Sequence, residues 1–502
     1  MKKEKIDLLL INPHKQNKIG IFTLAACIRE KGYSVRIIGG FFEEIIREFE
    51  KYEPSMVGIT ATTLDAELAY QVCDYIKKKN SKIYCMLGGF HATAIPERVL
   101  KESKFDLLVV GEGEETLAEL MPPLLKNTFP TKVPGTVEKD KDSIIFNPPR
   151  EFIKDLDALP FPAFDLVNIE DYFHDIRFSF GHCKRSLCIV ASRGCPFDCK
   201  FCSSKLIWKR KLRFYSNDYL FKLINKLVED YNLDGISFLD DEFVCHKERI
   251  YDFCDRMVKT GLNKKIKFAC QGTAGATTEE LLLKLKEAGC VLYRIGMESA
   301  NQETLNFLKN SYQKVEGNLN AVNLCKKVGM PIFGNFIIGA PDEDLNSIVD
   351  TINFIENSKM NVADIFIATP FPNSDLYKIC EERGYLKDNI TWKDYTCDPK
   401  SDKTNAISRT KYFTAEQLSN IRKYLYNNIL NYYNKNKPYK KLDHRKEIEK
   451  ILNGNLSKCK KPFSQKLIAS LNNWMIDLKK IKNLRKVKRK ILNTIYHFKL
   501  KI

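Results

Sequence analysis

Short, almost continuously apolar runs alternate with amphipathic stretches over the first part of the chain. IDLLLIN at 6–12, YSVRIIG at 33–39, SMVGITA at 55–61, KIYCMLGG at 82–89 and FDLLVVGEGE at 105–114 read as strands. Unbroken hydrophobicity of this kind marks strands covered on both faces. Residues 19–31 carry helical spacing and stop at Gly32, and a second helix is expected over 64–79. The alternation predicts an α/β fold with a doubly wound parallel sheet. Ligands of such sheets sit beyond the carboxyl ends of the strands. The loops at those ends are Asn12-Pro13-His14, Thr60 to Thr63 (with Thr62 between), Gly88-Gly89-Phe90-His91 and Gly111-Glu112-Gly113-Glu114.

A Pro- and turn-rich stretch over 130–165 interrupts the pattern, which then resumes. CIVASRGC (188–195), GISFLDDEF (235–243), KIKFACQG (265–272), VLYRIGMES (291–299), PIFGNFIIGAP (331–341) and VADIFIATP (362–370) read as six further strands. Six parallel strands with helices between them predict a partial (β/α)6 barrel, with its site at the strand C-termini. From residue 405 the chain becomes helical and Lys-rich. The expected organisation is a Rossmann-like domain at 1–140, a linker at 141–184, a barrel at 185–404 and a helical basic region at 405–502.

Composition narrows the setting. A chain of 502 residues is too long for one core, and its 44% hydrophobic content is ordinary for a globular protein. The first apolar run is too short for a signal peptide and ends in Asn12-Pro13-His14, not in a small-residue cleavage site. No run is long enough to span a bilayer, so a cytoplasmic protein is expected. Sixteen cysteines without an export signal argue against a disulfide framework. Cys27, Cys73, Cys254 and Cys325 lie in apolar stretches as small hydrophobes. The net charge of +18 is uneven: after Asp477 there are ten Lys or Arg and no acid. There Ile481, Leu484, Ile491, Ile495 and Phe498 recur at near-helical spacing. Such a stripe either packs on a core or meets an anionic lipid surface, which would place the protein peripherally at the inner membrane. Stacking aromatics are sparse in this tail, so nucleic acid ranks last as a partner.

One cysteine group stands apart. S-R-G-C-P-F-D-C-K-F-C places Cys195, Cys199 and Cys202 in a loop that follows a strand, with Pro196 and Asp198 marking it as a loop. Thiolates ligate iron–sulfur clusters, and a cubane takes four ligands. Three close cysteines therefore leave one iron open to chelate an amine and a carboxylate. A structural zinc site would need a fourth ligand, for which Cys183, Cys188 or His182 are available.

The triplet, with Phe201 before its last cysteine, resembles the motif of the radical S-adenosylmethionine superfamily. Gly296-Met297-Glu298-Ser299 resembles that superfamily's strand-four motif at the ribose and methionine part of the cofactor. Gly334 to Gly339 with Pro341, including Asn335 and Ile338, resembles the strand-five motif beside the adenine. Thr369-Pro370-Phe371-Pro372 resembles the strand-six end, and Asp240-Asp241 close strand two. The resemblance covers roughly 185–400. It implies a [4Fe–4S] cluster on Cys195, Cys199 and Cys202, with S-adenosylmethionine against Phe201, Asp240, Glu298, Ser299, Asn335, Ile338 and Gly339. It further implies one-electron cleavage of S-adenosylmethionine to methionine and a 5′-deoxyadenosyl radical, driven by a low-potential flavodoxin or ferredoxin.

Placed before such a barrel, the first domain and the linker LDALPFPAFDL resemble the class that also binds cobalamin. That implies contacts from Asn12, Pro13, Thr60, Thr62, Thr63, Gly88, Gly89, His91, Gly111, Glu112 and Gly113. The D-x-H-x-x-G motif that supplies a histidine to cobalt is absent; His14 is preceded by Pro13 and followed by Lys15 and Gln16. The resemblance implies methylation of an unactivated carbon through methylcobalamin, on a small-molecule, lipid or other hydrophobic substrate. Non-methylating ring closure or carbon–carbon bond formation is the alternative, and RNA modification ranks lower. The central step requires no acid–base pair, so no catalytic residue is nominated; Tyr293 and Arg294 are expected to face the barrel cavity.

Overall fold

The computed structural model describes residues 3–129, 131–140, 143–173, 183–397, 404–430 and 443–453. One compact unit spans Met1–Ile448; of the second, Glu449–Ile502, only residues 449–453 are described. His182 and the apolar stripe of the tail lie outside the described residues. Among the described residues, no helix is long and apolar enough to cross a membrane.

Strands β1 (Glu4–Pro13), β2 (Val35–Gly40), β3 (Tyr52–Thr60), β4 (Tyr84–Gly88), β5 (Leu107–Val109), β6 (Thr136–Asp140) and β7 (Ser143–Phe146) form one sheet in the order β2-β1-β3-β4-β5-β6-β7. The first five are parallel. Their central residues, Leu8 to Ile11, Met56, Val57 and Cys85 to Leu87, are almost fully buried, as their unbroken apolar runs require. The order reverses between β1 and β3, the topological switch where such sheets bind ligands. β6 and β7 extend the parallel sheet on its far edge, where they pair antiparallel. β7 lies in the stretch read as linker.

The second sheet is built from β8 (Ser186–Ile189), β11 (Gly235–Phe238), β12 (Lys267–Gly272), β13 (Cys290–Glu298), β14 (Ile332–Ile338) and β15 (Val362–Ile367). They lie in sequential order and are all parallel. A two-residue antiparallel ribbon, β9 (Ser192–Arg193) with β10 (Arg213–Phe214), stands at the carboxyl end of β8. The opposite end of the barrel is plugged by Cys183, Ala269, Leu292, Phe333 and Val362. Cys183 is thus a plug residue at the far end from the triplet, and the zinc reading loses it as a ligand.

Residues past the last barrel strand fold back onto the helical layer of the first domain. Trp392, Tyr395 and Ile407 form an apolar cluster with Ala66, against which Tyr70 and Ile95 pack. Both sheets and this returning segment therefore share one compact unit.

Candidate functional site

The three cysteines lie between β9 and β10, in a segment pinned on several sides. Gly194 opens it at φ +102, and a Cβ there would lie 2.0 Å from the Lys211 carbonyl oxygen, so glycine is required. The Lys200 N–H donates to Leu308 O (3.0 Å), and Leu376 N–H donates to Lys200 O (2.8 Å). Lys205 bridges Asp198 and Asp375. Phe197 stacks on Tyr312 at 4.4 Å, and the Tyr312 hydroxyl lies 3.2 Å from Cys199 Sγ. Burial pushes the Cys195 thiol up to about 12 and Cys202 up to about 11, and it also raises Cys199. Protonated thiols must lose their protons to solvent before they ligate a metal. Among the described residues, no three His, Cys, Asp or Glu side chains are gathered into a cage for a single ion. A cubane instead spreads its ligands over separate corners.

The ends of the barrel strands surround this segment. Asp240 follows β11 and accepts from the Ala191 N–H and the Ser192 hydroxyl. Burial raises its carboxyl to about 6, against those bonds. At the end of β13 the register with β14 shifts between Gly296 and Glu298, and Glu298 adopts φ +57. Such a bulge re-aims a side chain. Glu298 meets Lys309 Nζ at 2.8 Å, with both side chains 7% exposed. Lys309 also lies over the Phe201 ring. The Ser299 hydroxyl pairs with Thr351 Oγ1 at 3.4 Å. Past β14, Gly339 (φ +90) and Ala340 donate their N–H groups to the buried Glu343. Ile338 is buried and Asn335 is partly exposed. Tyr293 is a correction: alternation along β13 turns it to the outer face, where its hydroxyl meets Thr277 Oγ1 at 3.2 Å. Arg294, on the same face as Leu292 of the plug, reaches over β12 to Ser237 Oγ at 3.1 Å.

A cavity of ≈ 370 Å³ joins the two sheets. Thr60, Thr62, Gly88, Gly89, Gly111, Glu112 and Gly113 line it from the first domain, and Arg193, Gly194, Trp208, Leu239 and Asp240 line it from the barrel. At Gly89 (φ +94) a Cβ would lie 2.8 Å from the Ala61 carbonyl oxygen, so a ligand can approach bare backbone there. Four residues expected on the cavity are not on it. Asn12 is buried and its side-chain amide donates to Gln16 O at 2.7 Å. Pro13 and Thr63 do not line the cavity. His91 is turned away: it lies 3.1 Å from the Tyr70 hydroxyl, 3.3 Å from Thr63 Oγ1 and edge-on to Trp392. Burial, aided by Arg98, lowers its pKa to about 4. Glu112 does reach the cavity wall, but its carboxylate is taken by Arg193 and Arg213.

Residues the sequence reading missed include Lys18 and Trp208, both on the cavity. Lys18 donates to Asp65 at 2.7 Å, and Asp65 also receives His14 Nδ1 (3.1 Å) and the Thr62 N–H. Burial alone would raise Asp65, but His14, Lys18 and Thr62 hold its carboxyl well below the usual range. A lysine in a loop after a strand carries no distinctive pattern. The signal for Trp208 was an aromatic shortly past the last loop cysteine.

Residues 13–121 match the family described as the B12 binding domain, and residues 189–355 match the radical SAM superfamily. An uncharacterised methyltransferase of Pyrococcus horikoshii is 32% identical over 415 residues, covering 81% of this chain and 86% of that one. The anaerobic magnesium-protoporphyrin IX monomethyl ester cyclase of Rubrivivax gelatinosus is 27% identical, over 77% of this chain and 68% of that one. The fold is similar to that of TsrM from Kitasatospora setae, solved with cobalamin and a [4Fe–4S] cluster (TM-score 0.63, 15% identity, 78% of this chain and 81% of that one). It is also similar to OxsB with aqua-cobalamin and S-adenosylmethionine (TM-score 0.66, 18% identity, 90% and 71%).

Proposed function

Because the chain belongs to the cobalamin-binding radical S-adenosylmethionine enzymes, we propose that it methylates an unactivated carbon of a small-molecule substrate after reductive cleavage of S-adenosylmethionine. One observation carries the reading: a single cavity is walled by the switch-point loops of the first sheet and by the backbone at the start of the cysteine segment. A corrinoid on one wall and a cluster on the other would then face the same space.

In this reading Cys195, Cys199 and Cys202 hold the cluster and leave one iron for S-adenosylmethionine. Glu298 and Ser299 meet its ribose and methionine portion. Asn335, Ile338 and Gly339 flank the adenine, with Phe201 beside them. Asp240 acts by holding Ala191 and Ser192, and so the root of the cysteine segment. Cobalamin rests on Thr60, Thr62, Gly88, Gly89, Gly111 and Gly113. His14 is held by Asp65 and stands edge-on to Phe41, which fits a corrinoid without a histidine ligand. When bound, the cofactors supply the radical and methyl-transfer chemistry, while the chain orients them and excludes water. A flavodoxin or ferredoxin would supply electrons.

The test is anaerobic reconstitution with iron, sulfide and hydroxocobalamin, followed by turnover with methyl-labelled S-adenosylmethionine and dithionite in a metabolite extract. Corrin bands beside cluster absorption and a labelled product are expected. Loss of corrin bands after gel filtration would sink the two-cofactor assignment. Release of 5′-deoxyadenosine with consumption of a substrate and no label in its product would replace methylation by ring closure, the activity named for the cyclase relative.

A further inference from the structure

We propose that Glu112 fastens the cobalamin-facing loop to both ends of the cysteine segment, so that cobalamin and the iron–sulfur cluster bind cooperatively. The inference rests on the two-cofactor reading and goes beyond it, to the coupling between the two sites.

The geometry is specific. Glu112 Oε1 accepts from Arg193 Nη1 at 2.7 Å and from Arg213 Nη2 at 3.0 Å; its Oε2 accepts from Arg213 Nη1 at 2.8 Å and from the Ile153 N–H at 2.9 Å. Arg193 also donates to Glu114 at 2.7 Å and to the Tyr215 hydroxyl at 3.3 Å. The side chains of Glu112, Glu114 and Arg193 are all under 10% exposed. Arg193 and Arg213 are paired residues of the β9–β10 ribbon, and all three loop cysteines lie between them. One carboxylate from the first domain thus grips both ends of the segment that would carry the cluster. The same loop, Gly111 to Glu114, lines the cavity.

Each cofactor orders one side of this network. A corrinoid against Gly111 and Gly113 fixes the loop that aims Glu112. A cluster on the cysteines fixes the segment whose ends present the arginines. Whichever binds second meets partners already in place and loses less conformational freedom. Linkage makes the effect reciprocal. A buried ion-pair network transmits such ordering better than a surface pair, because neither partner can exchange its bonds for water.

The test measures hydroxocobalamin affinity by gel-filtered titration of the full chain, cluster-free and cluster-loaded. In the wild type, cluster loading is expected to tighten cobalamin binding about tenfold. Cobalamin is also expected to shift the electron paramagnetic resonance signal of the reduced cluster. In E112Q cluster loading should no longer change cobalamin affinity and cobalamin should no longer shift the cluster signal, whatever the affinity of each cofactor alone, with the circular dichroism spectrum unchanged. Should E112Q not fold, R213K serves, because it keeps the charge and loses the two-pronged grip; its coupling should fall between the two. Wild-type cobalamin affinity that ignores the cluster overturns the proposal, as does full coupling in E112Q. Failure of wild type to bind cobalamin in either state overturns the underlying two-cofactor reading instead.

Discussion

His91 gives the first domain an acid-sensitive seam. Its ring is fully buried among Tyr70, Thr63 and Trp392, and its pKa falls from 6.5 to about 4. The unfolded chain therefore takes up a proton near pH 6.5 that the folded chain refuses until about pH 4. Stability from the neutral ring is intact above pH 6.5 and is lost as pH falls through that window. The fall from 6.5 to about 4 corresponds to about 3 kcal/mol in full, of which about 2 kcal/mol is lost between pH 7.5 and 5.0. Other buried acids work in the opposite direction: burial raises Glu343 and Glu242 to about 8. The comparison must therefore be differential. Urea unfolding of the wild type and of His91→Gln, followed by Trp392 fluorescence, gives the stability difference at each pH. The variant's deficit at pH 7.5 should shrink by about 2 kcal/mol at pH 5.0. A difference independent of pH would refute the argument, because His91 would then titrate alike in both states.

Other outcomes follow from the same structure. Trp392→Ala should cost about 3–5 kcal/mol in urea melts, since it empties the seam between the returning segment and the first domain. Gly89→Ala should weaken hydroxocobalamin binding at least tenfold in titration, because the Cβ strikes Ala61 O and φ is +94. Lys309→Met strands Glu298 as a buried carboxylate without its partner, and should lower stability by about 3–5 kcal/mol; the same melts check it. Cys199→Ala should leave far less than four irons per chain after reconstitution, measured by iron assay, with the fold intact by circular dichroism.

The parallel strands were legible because burial on both faces demands runs such as LLLIN and YCMLGG, which amphipathic helices do not produce. β6 and β7 were hidden because such short stretches in a Pro-rich region lack the length that identifies a strand; the pairing of β6 with β5 and of β7 with β6 is a tertiary fact. Loop positions were legible too, since strand ends fix which backbone reaches the cavity: Thr60, Gly88 and Gly111 stand there. Side-chain direction within those loops was not. His91 turns inward because Trp392, some three hundred residues later in sequence, offers an aromatic partner that local pattern cannot reveal. Glu112 turns to Arg193 and Arg213 for the same kind of reason. An acid in a Gly-rich loop suggests a ligand contact, and only the fold brings two arginines to it.

The two-residue ribbon has a consequence for tolerance to insertion. By pairing Arg193 with Arg213 it closes the cysteine segment into a ring at its base. The entropy of closing such a ring rises only with the logarithm of its length, so doubling it costs about 0.6 kcal/mol. All three cysteines lie in the near half of the ring, between Gly194 and Ser203, and the remainder runs through Trp208 beside the cavity. That far half can lengthen at small entropic expense as long as Lys205 keeps its bridge from Asp198 to Asp375, which ties it to the cysteines.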